Sequence, residues 1–256
     1  MIRRLMQMTA VLIGLGVVPA AAIAEDAPAK KIKAVYWTGG VAHDYDAIGK
    51  ILPPALAKLI DVDFKPCRDA SFLDSPDAKQ LDVIVMSHCY ENVKGVLNEK
   101  QKQALLDLVR GGVGVVAVHA SYYSFVKWDE VHKFYGARFT KHGSPKATIV
   151  VGTVDKKHPI TKGLTDAFEV VSELYQSTPL AKDCHVLARA KEKGTTETHP
   201  SVWTRMYGKG RVVTILPGHW PDSYRVVDFQ KLIARSMQWA SGRLDAARGK
   251  KKEAQR

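Results

Sequence analysis

The stretch Leu81–His119, LDVIVMSHCYENVKGVLNEKQKQALLDLVRGGVGVVAVH, decides the fold of this chain. It begins and ends with apolar, β-branched runs, Leu81–Ser87 and Val113–His119, of the kind found in strands buried on both faces. Between them, Asn98–Arg110 repeats apolar residues at helical spacing, and a Gly-Gly pair ends this helix. The order predicts a right-handed unit of two parallel strands joined by a helix.

The same alternation extends toward the N-terminus. Ile32–Thr38 has strand character, His43–Ile60 has helical spacing, and Val62–Phe64 is a short second strand. The pair Pro53-Pro54 lies inside the helical segment, so we expect a kink or a break there. Residues 32–119 therefore predict an α/β fold built on a parallel sheet.

The second half of the chain has a different pattern. Short strands alternate with turn residues, and we expect them to extend the sheet antiparallel or to form a subsidiary sheet. A closing helix is predicted over Val226–Ser241. The predicted strands of this half are Thr148–Val154, Glu169–Leu174, His185–Ala190, Ser201–Tyr207 and Arg211–Leu216.

Residues 1–24 have the pattern of a signal peptide. Arg3 and Arg4 precede the apolar run Thr9–Val18, and Ala22-Ile23-Ala24 is a small-x-small cleavage site. General secretion fits the flanking residues better than twin-arginine export, and no Cys follows the site to carry a lipid anchor. The apolar run is too short for stable membrane insertion, so the mature protein is expected to be periplasmic or secreted.

The net positive charge of the chain suggests a nucleic-acid partner until the positions of the charged residues are considered. The formal net charge is +12, but half of it lies in residues 1–24 and in the basic tail 243–256, which has no apolar periodicity. No recognition-helix pattern or zinc-finger spacing is present, so we expect no nucleic-acid partner. Hydrophobic residues make up 46% and charged residues 25%, which excludes a disordered chain and leaves residues 25–242 as one folded domain.

The cysteine count limits the disulfide chemistry. Cys67, Cys89 and Cys184 are the three cysteines, so at least one thiol stays free. None belongs to a Cys-x-x-Cys pair, and a bridge between any two of them stays open.

Histidines follow three of the predicted strands. His43 comes after the first strand and its Gly-Gly turn, His119 ends the strand quoted first, and His219 follows the last strand. Sites in open parallel sheets form at the carboxyl ends of the strands, so we expect these side chains to converge.

Several segments, in their order along the chain, resemble the trehalose-utilisation ThuA-like family of the class I glutamine amidotransferase-like superfamily. The resemblance covers about residues 31–242. It implies a three-layer flavodoxin-like fold with a mostly parallel central sheet and added antiparallel strands. It also implies a link to sugar metabolism, with keto-glycosides as candidate substrates. The segments that carry it are Gly39–Asp44, Gly111–His119, Arg138–His142, His158–Leu164, Glu173–Tyr175, Pro200–Trp203, Tyr207–Val212, Gly218-His219 and Trp239-Ala240.

The chain departs from the superfamily at two places. Amidotransferases carry a nucleophilic Cys in a Gly-x-Cys-x-Gly turn, and the equivalent turn here is Val118–Tyr122, without that Cys and without a frame that makes Ser121 a nucleophile. Glutamine amidotransferase activity is therefore not expected. Where the family has Asp-Glu-Leu-Tyr, this chain has Ser172 before Glu173, which removes the first of two adjacent carboxylates.

Two kinds of chemistry fit the predicted catalytic set of His119, Glu173, His43 and His219. In the first, a histidine acts as general acid or base and Glu173 orients it. In the second, His43, His119 and His219, with Glu173, hold a divalent metal such as Zn²⁺, Mn²⁺ or Ni²⁺. A structural role, in which the histidines only hydrogen-bond the backbone, stays open as well.

The expected ligand is a small carbohydrate, because sugars stack their C–H faces on flat rings and aromatic residues cluster at the same strand ends. An enzyme of the lyase, hydrolase or isomerase type is the leading interpretation, and a non-catalytic sugar-binding or accessory module is the alternative. Apolar positions on the late strands leave a homodimer open. The residues expected to bind substrate are Gly40, Asp44, Ser121, Tyr122, His142, Tyr175 and Trp220.

Overall fold

The computed structural model describes residues 30–90 and 95–244. The predicted signal peptide and all but the first two residues of the predicted tail lie outside them. The elements are β1 (Ile32–Gly40), α1 (Tyr45–Ala57), β2 (Val62–Cys67), β3 (Val83–Cys89), α2 (Glu99–Gly111), β4 (Gly114–Val118), α3 (Asp129–Tyr135), β5 (Phe139–His142), β6 (Ala147–Thr153), β7 (Ala167–Ser172), β8 (Tyr175–Ser177), β9 (His185–Glu192), β10 (His199–Tyr207), β11 (Gly210–Ile215) and α4 (Val227–Ala240), with 3₁₀ turns at Ser71–Asp74, Pro76–Gln80, His119–Ser121 and Pro221–Arg225.

The central sheet has nine strands in the order β2-β1-β3-β4-β11-β10-β9-β6-β7. The first five are parallel, and each of the other four runs antiparallel to the strand before it. The predicted β3–α2–β4 unit is confirmed, with Val83 beside Gly114. The later strands extend the same sheet, while β5 and β8 pair in a separate two-stranded sheet. The mostly parallel α/β fold with added antiparallel strands is therefore confirmed.

Alternating side chains divide the core into two layers. In β3, Val83 and Val85 pack with α1 and α4, whereas Ile84 and Met86 pack with α2 and α3 on the other face. Fully buried alternation of this kind follows from the unbroken apolar runs of the sequence. Helices on both faces of one sheet give the three-layer arrangement that the resemblance implied.

The Pro53-Pro54 pair does not break the first helix. The helix α1 continues from Tyr45 to Ala57 through both prolines. Leu52 and Leu56 on either side of the pair are fully buried in the core. Burial of these side chains therefore outweighs the backbone hydrogen bonds that two prolines cannot donate.

The described cysteines and helices bear on two earlier expectations, disulfide bonding and membrane insertion. Cys67 and Cys184 form no disulfide bond with any described residue, and Cys89 is buried. Among residues 30–90 and 95–244, every helix is too short or too polar to cross a bilayer.

Candidate metal centre

Four side chains meet at the carboxyl ends of the parallel strands and of β7. His43 follows β1, His119 directly follows β4, His219 follows β11, and Glu173 directly follows β7. One ligand atom from each lies within 4.8 Å of the others. The structure therefore brings the whole predicted catalytic set into one cluster.

Three of these atoms form a nearly equilateral triangle. His119 Nε2 lies 3.3 Å from His219 Nδ1 and 3.4 Å from Glu173 Oε2. His219 Nδ1 lies 3.2 Å from the same carboxylate oxygen. The atoms are close enough to share one ion or one proton.

The hydrogen bonds made by the other ring nitrogens determine which imidazole nitrogens present a lone pair to the cluster. His119 Nδ1 donates to the carbonyl of Leu216 at 2.7 Å, which leaves its Nε2 unprotonated in the neutral ring. His43 Nδ1 donates to the carbonyl of Val41 at 3.2 Å, and its buried Nε2 has no hydrogen-bond partner among the described residues. Two imidazole lone pairs are therefore held ready as ligands or proton acceptors.

The cluster favours a carboxylate beside the neutral imidazoles of His43 and His119. Burial, helped by the neighbouring His119, lowers the pKa of His43 to about 4. Burial also lowers the pKa of His119 despite the nearby Glu173. For Glu173, burial opposes ionisation, but the contacts with His119 and His219 outweigh it and hold the pKa of the carboxyl well below its usual range. The result at neutral pH is a negatively charged, nitrogen-rich donor set.

Strained backbone places two of the histidines. His119 has φ +51° and Ala42, just before His43, has φ +66°, both in the left-handed region that L residues rarely adopt. Such conformations cost about 1–3 kcal/mol each and persist where the surroundings over-determine them, which is common at functional sites. Gly40 comes two residues before Ala42. A Cβ at Gly40 would lie 2.0 Å from the Cys89 carbonyl oxygen. Its role is thus to let β1 and β3 approach.

Ser172 holds the backbone of the loop that carries His219. Its buried Oγ accepts the backbone N–H groups of Gly218 at 3.0 Å and of His219 at 3.2 Å. A hydroxyl oxygen has two acceptor lone pairs, so these bonds use both. The departure from the family pattern at this position therefore keeps an acceptor for the His219 loop, a role that the sequence reasoning missed.

A cavity of about 240 Å³ opens beside the cluster. His142 stands half-exposed at its edge, with Nδ1 3.2 Å from Glu173 Oε1. The Tyr175 ring packs 4.6 Å from the His119 ring, and burial together with the nearby Glu173 raises the pKa of the Tyr175 hydroxyl. His142 and Tyr175 are paired across the small sheet of β5 and β8, which forms one wall. The residues around the cavity are Ala42, His43, Cys89, Tyr123, Phe139, His142, Glu173, Tyr175 and His219.

Three of the expected substrate-binding residues have other partners. Ser121 is fully buried, and its Oγ accepts the backbone N–H of His88. Tyr122 packs on the α2 and α3 face and donates to Ser177. The cause is the 3₁₀ turn after His119, which carries the chain away from the cavity. Asp44 caps α1 by accepting the Ala47 N–H, and helix caps of this kind are structural.

The remaining expected residue, Trp220, lies just outside the cavity with its ring 4.7 Å from the ring of His219. Four residues that line the cavity were not in the expected set: Ala42, Cys89, Tyr123 and Phe139. The sequence could have indicated Cys89 as a cavity residue, because it is the last residue of a strand at the carboxyl edge of the sheet. Phe139 lies in the short strand β5, which the sequence pattern did not predict.

Known proteins match the chain in sequence family and in fold. The family model for ThuA, trehalose utilisation, matches residues 33–240. A ThuA-like protein of Bacteroides uniformis superposes with a TM-score of 0.70 at 22% identity, covering 86% of this chain and 95% of its own. One from Parabacteroides merdae has a TM-score of 0.70 at 21% identity, covering 83% and 90%.

More distant likeness reaches the amidotransferase-like folds. A GMP synthase component from Thermoplasma acidophilum has a TM-score of 0.51 at 15% identity, covering 87% of this chain and 99% of its own. At these identities the structural matches establish the fold alone. No curated protein matches the chain. The family match spans the sheet and all four strand ends of the cluster and suggests a carbohydrate-related role, and the chain belongs to the ThuA trehalose-utilisation family.

Proposed function

We propose that His43, His119, Glu173 and His219 bind a divalent metal ion and that the protein uses it in chemistry on a sugar or keto-glycoside. The observation that carries the proposal is the triangle of His119 Nε2, His219 Nδ1 and Glu173 Oε2, with sides of 3.2–3.4 Å. Zn²⁺ bonds to nitrogen and oxygen are about 2.0–2.1 Å long, so ligands of a tetrahedral ion lie about 3.3–3.4 Å apart. The unpartnered Nε2 of His43 supplies the fourth ligand.

The arrangement is hard to satisfy with protons alone. His119 Nε2 and Glu173 Oε2 are both acceptors, and His219 Nδ1 has at most one proton to share between them when its ring is neutral. His43 Nε2 then stays buried without a donor among the described residues, which costs about 1–3 kcal/mol. A bound cation would meet all four atoms at once. Imidazoles with one carboxylate suit Zn²⁺, Mn²⁺ or Ni²⁺.

When bound, such an ion would supply Lewis acidity to a sugar carbonyl or a water, taking that oxygen as a further ligand beyond the four side chains. The protein's own groups would add orientation and proton transfer. Glu173 Oε1 contacts His142, which is half-exposed at the cavity edge and can exchange protons with solvent. Aromatic walls from Tyr123, Phe139 and Tyr175 would pack against the apolar face of a sugar ring.

A metal-free general acid–base enzyme is the second candidate. It is favoured by the buried pair of His119 and Glu173, in which the carboxylate would stabilise a protonated imidazole during turnover. The same residues serve both candidates, so only the dependence on metal separates them.

The test is turnover of glycosides and their 3-keto forms, with and without chelator, by wild type and by His119→Ala. His185→Ala is the matched control, because His185 lies on β9 and pairs with Asp155 instead of the cluster. Activity lost to chelator and restored by Zn²⁺, Mn²⁺ or Ni²⁺ supports the proposal. Activity that survives chelation but not His119→Ala supports acid–base chemistry. Sugar binding without turnover in any condition would assign the protein as an accessory module and overturn both.

We also propose that residues 1–24 export the protein, on the sequence pattern of Arg3, Arg4 and the small-x-small site. Fractionation of cells expressing the full chain is the test. A processed form outside the cytoplasm is expected, and an unprocessed cytoplasmic form would contradict export.

A further inference from the structure

A second cavity of about 420 Å³ lies next to the candidate metal centre. Trp220 lines it, and the ring of Trp220 is 4.7 Å from the ring of His219, which lines the first cavity. The other lining residues are Lys146, Val171, Pro221 and Asp222.

The two cavities are built from the same two segments of the chain. His142, the last residue of β5, lines the first cavity, and Lys146, in the loop that follows, lines the second. The loop after β11 contributes His219 to the first and Trp220 to the second. One molecule with two linked rings could therefore contact both.

The indole of Trp220 is held in a fixed position. Its Nε1–H donates to the carbonyl of Pro145 at 2.6 Å, which ties the two loops together. On the other side, Ser172 fixes the backbone N–H of His219, the residue before it. A ring held by a hydrogen bond, on a chain whose preceding residue is also fixed, loses little conformational entropy when a ligand stacks on it, so the platform is preorganised.

The chemistry of the second cavity suits a neutral polyol. Trp220 and the 41% exposed Val171 give an apolar surface. Lys146 and Asp222 flank it with opposite charges, and Asp222 also pairs with Arg225 at 3.3 Å. An apolar surface that is lined as well by a donor and an acceptor matches the C–H face and the hydroxyl edge of a sugar ring.

We infer that the second cavity binds the second ring of a two-ring glycoside, while the first ring occupies the cavity at the metal centre. The first cavity, at about 240 Å³, is smaller than the roughly 300–1,000 Å³ of a typical ligand pocket and suits one ring. The inference rests on the proposed function for its sugar ligand and for the statement that the first ring is the reacting one. The substrate class is thus a disaccharide or an aryl or alkyl glycoside with a flat second group, rather than a free monosaccharide.

The experiment is calorimetric binding of trehalose and 3-keto-trehalose, compared with glucose and 3-keto-glucose, to wild type, Trp220→Ala and Trp220→Phe. Wild type is expected to bind at least one two-ring ligand more tightly than its one-ring counterpart. Trp220→Ala should weaken two-ring binding about tenfold and one-ring binding less than about twofold, since an aromatic platform contributes on the order of tenfold in affinity. Trp220→Phe, which keeps a flat ring, should lie between the two.

Equal losses for both ligand classes, no loss for either, or no binding of any two-ring ligand by wild type would overturn the inference. Metal content measured on the same samples keeps the two proposals apart. A protein that retains no ion after exposure to Zn²⁺, Mn²⁺ and Ni²⁺ but still shows the Trp220-dependent preference for two rings would refute the metal centre and leave the second cavity assigned. Loss of folding in Trp220→Ala is checked by its melting temperature, and Trp220→Phe then carries the comparison.

Discussion

His119 and His88 are both buried histidines at the carboxyl ends of neighbouring strands, β4 and β3, yet their surroundings differ in one decisive respect. His88 has no exposed surface, and its Nδ1 contacts Ser124. The rings of Trp37 and Phe125 pack around it at 4.4 and 5.5 Å. His119 instead faces Glu173 and two further histidines. Burial makes both rings neutral, and only the second environment adds a negative charge and converging lone pairs.

The comparison teaches that a histidine becomes a candidate ligand through its neighbours rather than through burial. In each ring, Nδ1 contacts a protein oxygen and Nε2 faces the interior of the protein. The inward Nε2 of His88 meets no hydrogen-bond partner among the described residues, whereas that of His119 meets a carboxylate. The first should matter for stability alone, and the second for metal binding.

The largest expected effect comes from removing the charge that distinguishes the two regions. Glu173→Gln keeps the shape of the side chain but loses the carboxylate, and we expect affinity for Zn²⁺ or Mn²⁺ to fall more than about 100-fold, beyond the loss typical of outer-shell partners. Calorimetric titration measures it. Glu169→Gln is the matched control, because Glu169 lies on β7, the strand that Glu173 directly follows, but is exposed and paired with Lys193. Equal affinity in both variants would contradict the assignment of Glu173.

Replacing His88, the buried histidine without a carboxylate neighbour, should lower stability and leave metal affinity nearly unchanged. His88→Ala leaves a cavity and takes the Ser124 contact away, and we expect the free energy of unfolding to fall by about 2–4 kcal/mol. Metal affinity should change less than about twofold. Denaturant unfolding and metal titration of the same sample check both. A large loss of affinity in a folded His88→Ala protein would erase the distinction between the regions.

The pH dependence of stability sharpens the same comparison. Burial lowers the pKa of His88 to about 3, whereas a histidine in the unfolded chain has a pKa of about 6.5. The unfolded state therefore binds the extra proton first, so stability is complete above pH 6.5 and falls with decreasing pH down to about 3. One such histidine contributes up to about 1.4 kcal/mol per pH unit in this window.

Unfolding of the metal-free protein between pH 7 and 4 measures this slope. His88→Leu should show a shallower decline than wild type by up to that amount. Identical slopes would show that His88 is not held neutral by burial. His43, whose pKa burial lowers to about 4, should leave part of the slope in place in the variant.

A smaller effect is expected from Ser172, which supports the cluster without joining it. Ser172→Ala removes the acceptor of the Gly218 and His219 N–H groups, and loss of such a support typically weakens metal affinity about 10–100-fold. Ser172→Thr keeps the hydroxyl and should restore most of the affinity. An affinity in Ser172→Ala that equals wild type would show that the His219 loop needs no such support.

The smallest effect on metal affinity belongs to His142. It contacts Glu173 Oε1 from a half-exposed position, where solvent screens the interaction. We expect His142→Asn to change metal affinity less than about threefold while lowering turnover more strongly, because proton exchange at the cavity edge is lost. Unchanged turnover would remove the proton-transfer role.

The convergence of the three histidines could be predicted because parallel strands end at one edge of the sheet. Glu173 came from the family pattern rather than from periodicity, since it directly follows the far strand β7, five positions away from β4 in sheet order. Ser121 and Tyr122 have protein partners because the left-handed backbone at His119 turns the chain, and no local residue pattern signals a positive φ at a histidine.

The cavity walls were harder to predict than the cluster. Phe139, His142 and Tyr175 meet through the short pair of β5 and β8, which are four and three residues long. Strands this short show too few alternating positions to be recognised, and their pairing joins segments far apart in the chain. The small sheet is therefore a product of tertiary packing.

The most direct test of the central claim is the metal content of the purified wild-type protein after exposure to Zn²⁺, Mn²⁺ and Ni²⁺ and removal of unbound ions. The donor set of His43, His119, Glu173 and His219 predicts about one tightly held ion per chain, and none in a folded Glu173→Gln protein. A folded wild-type protein that retains no ion under any of these conditions would contradict the metal centre.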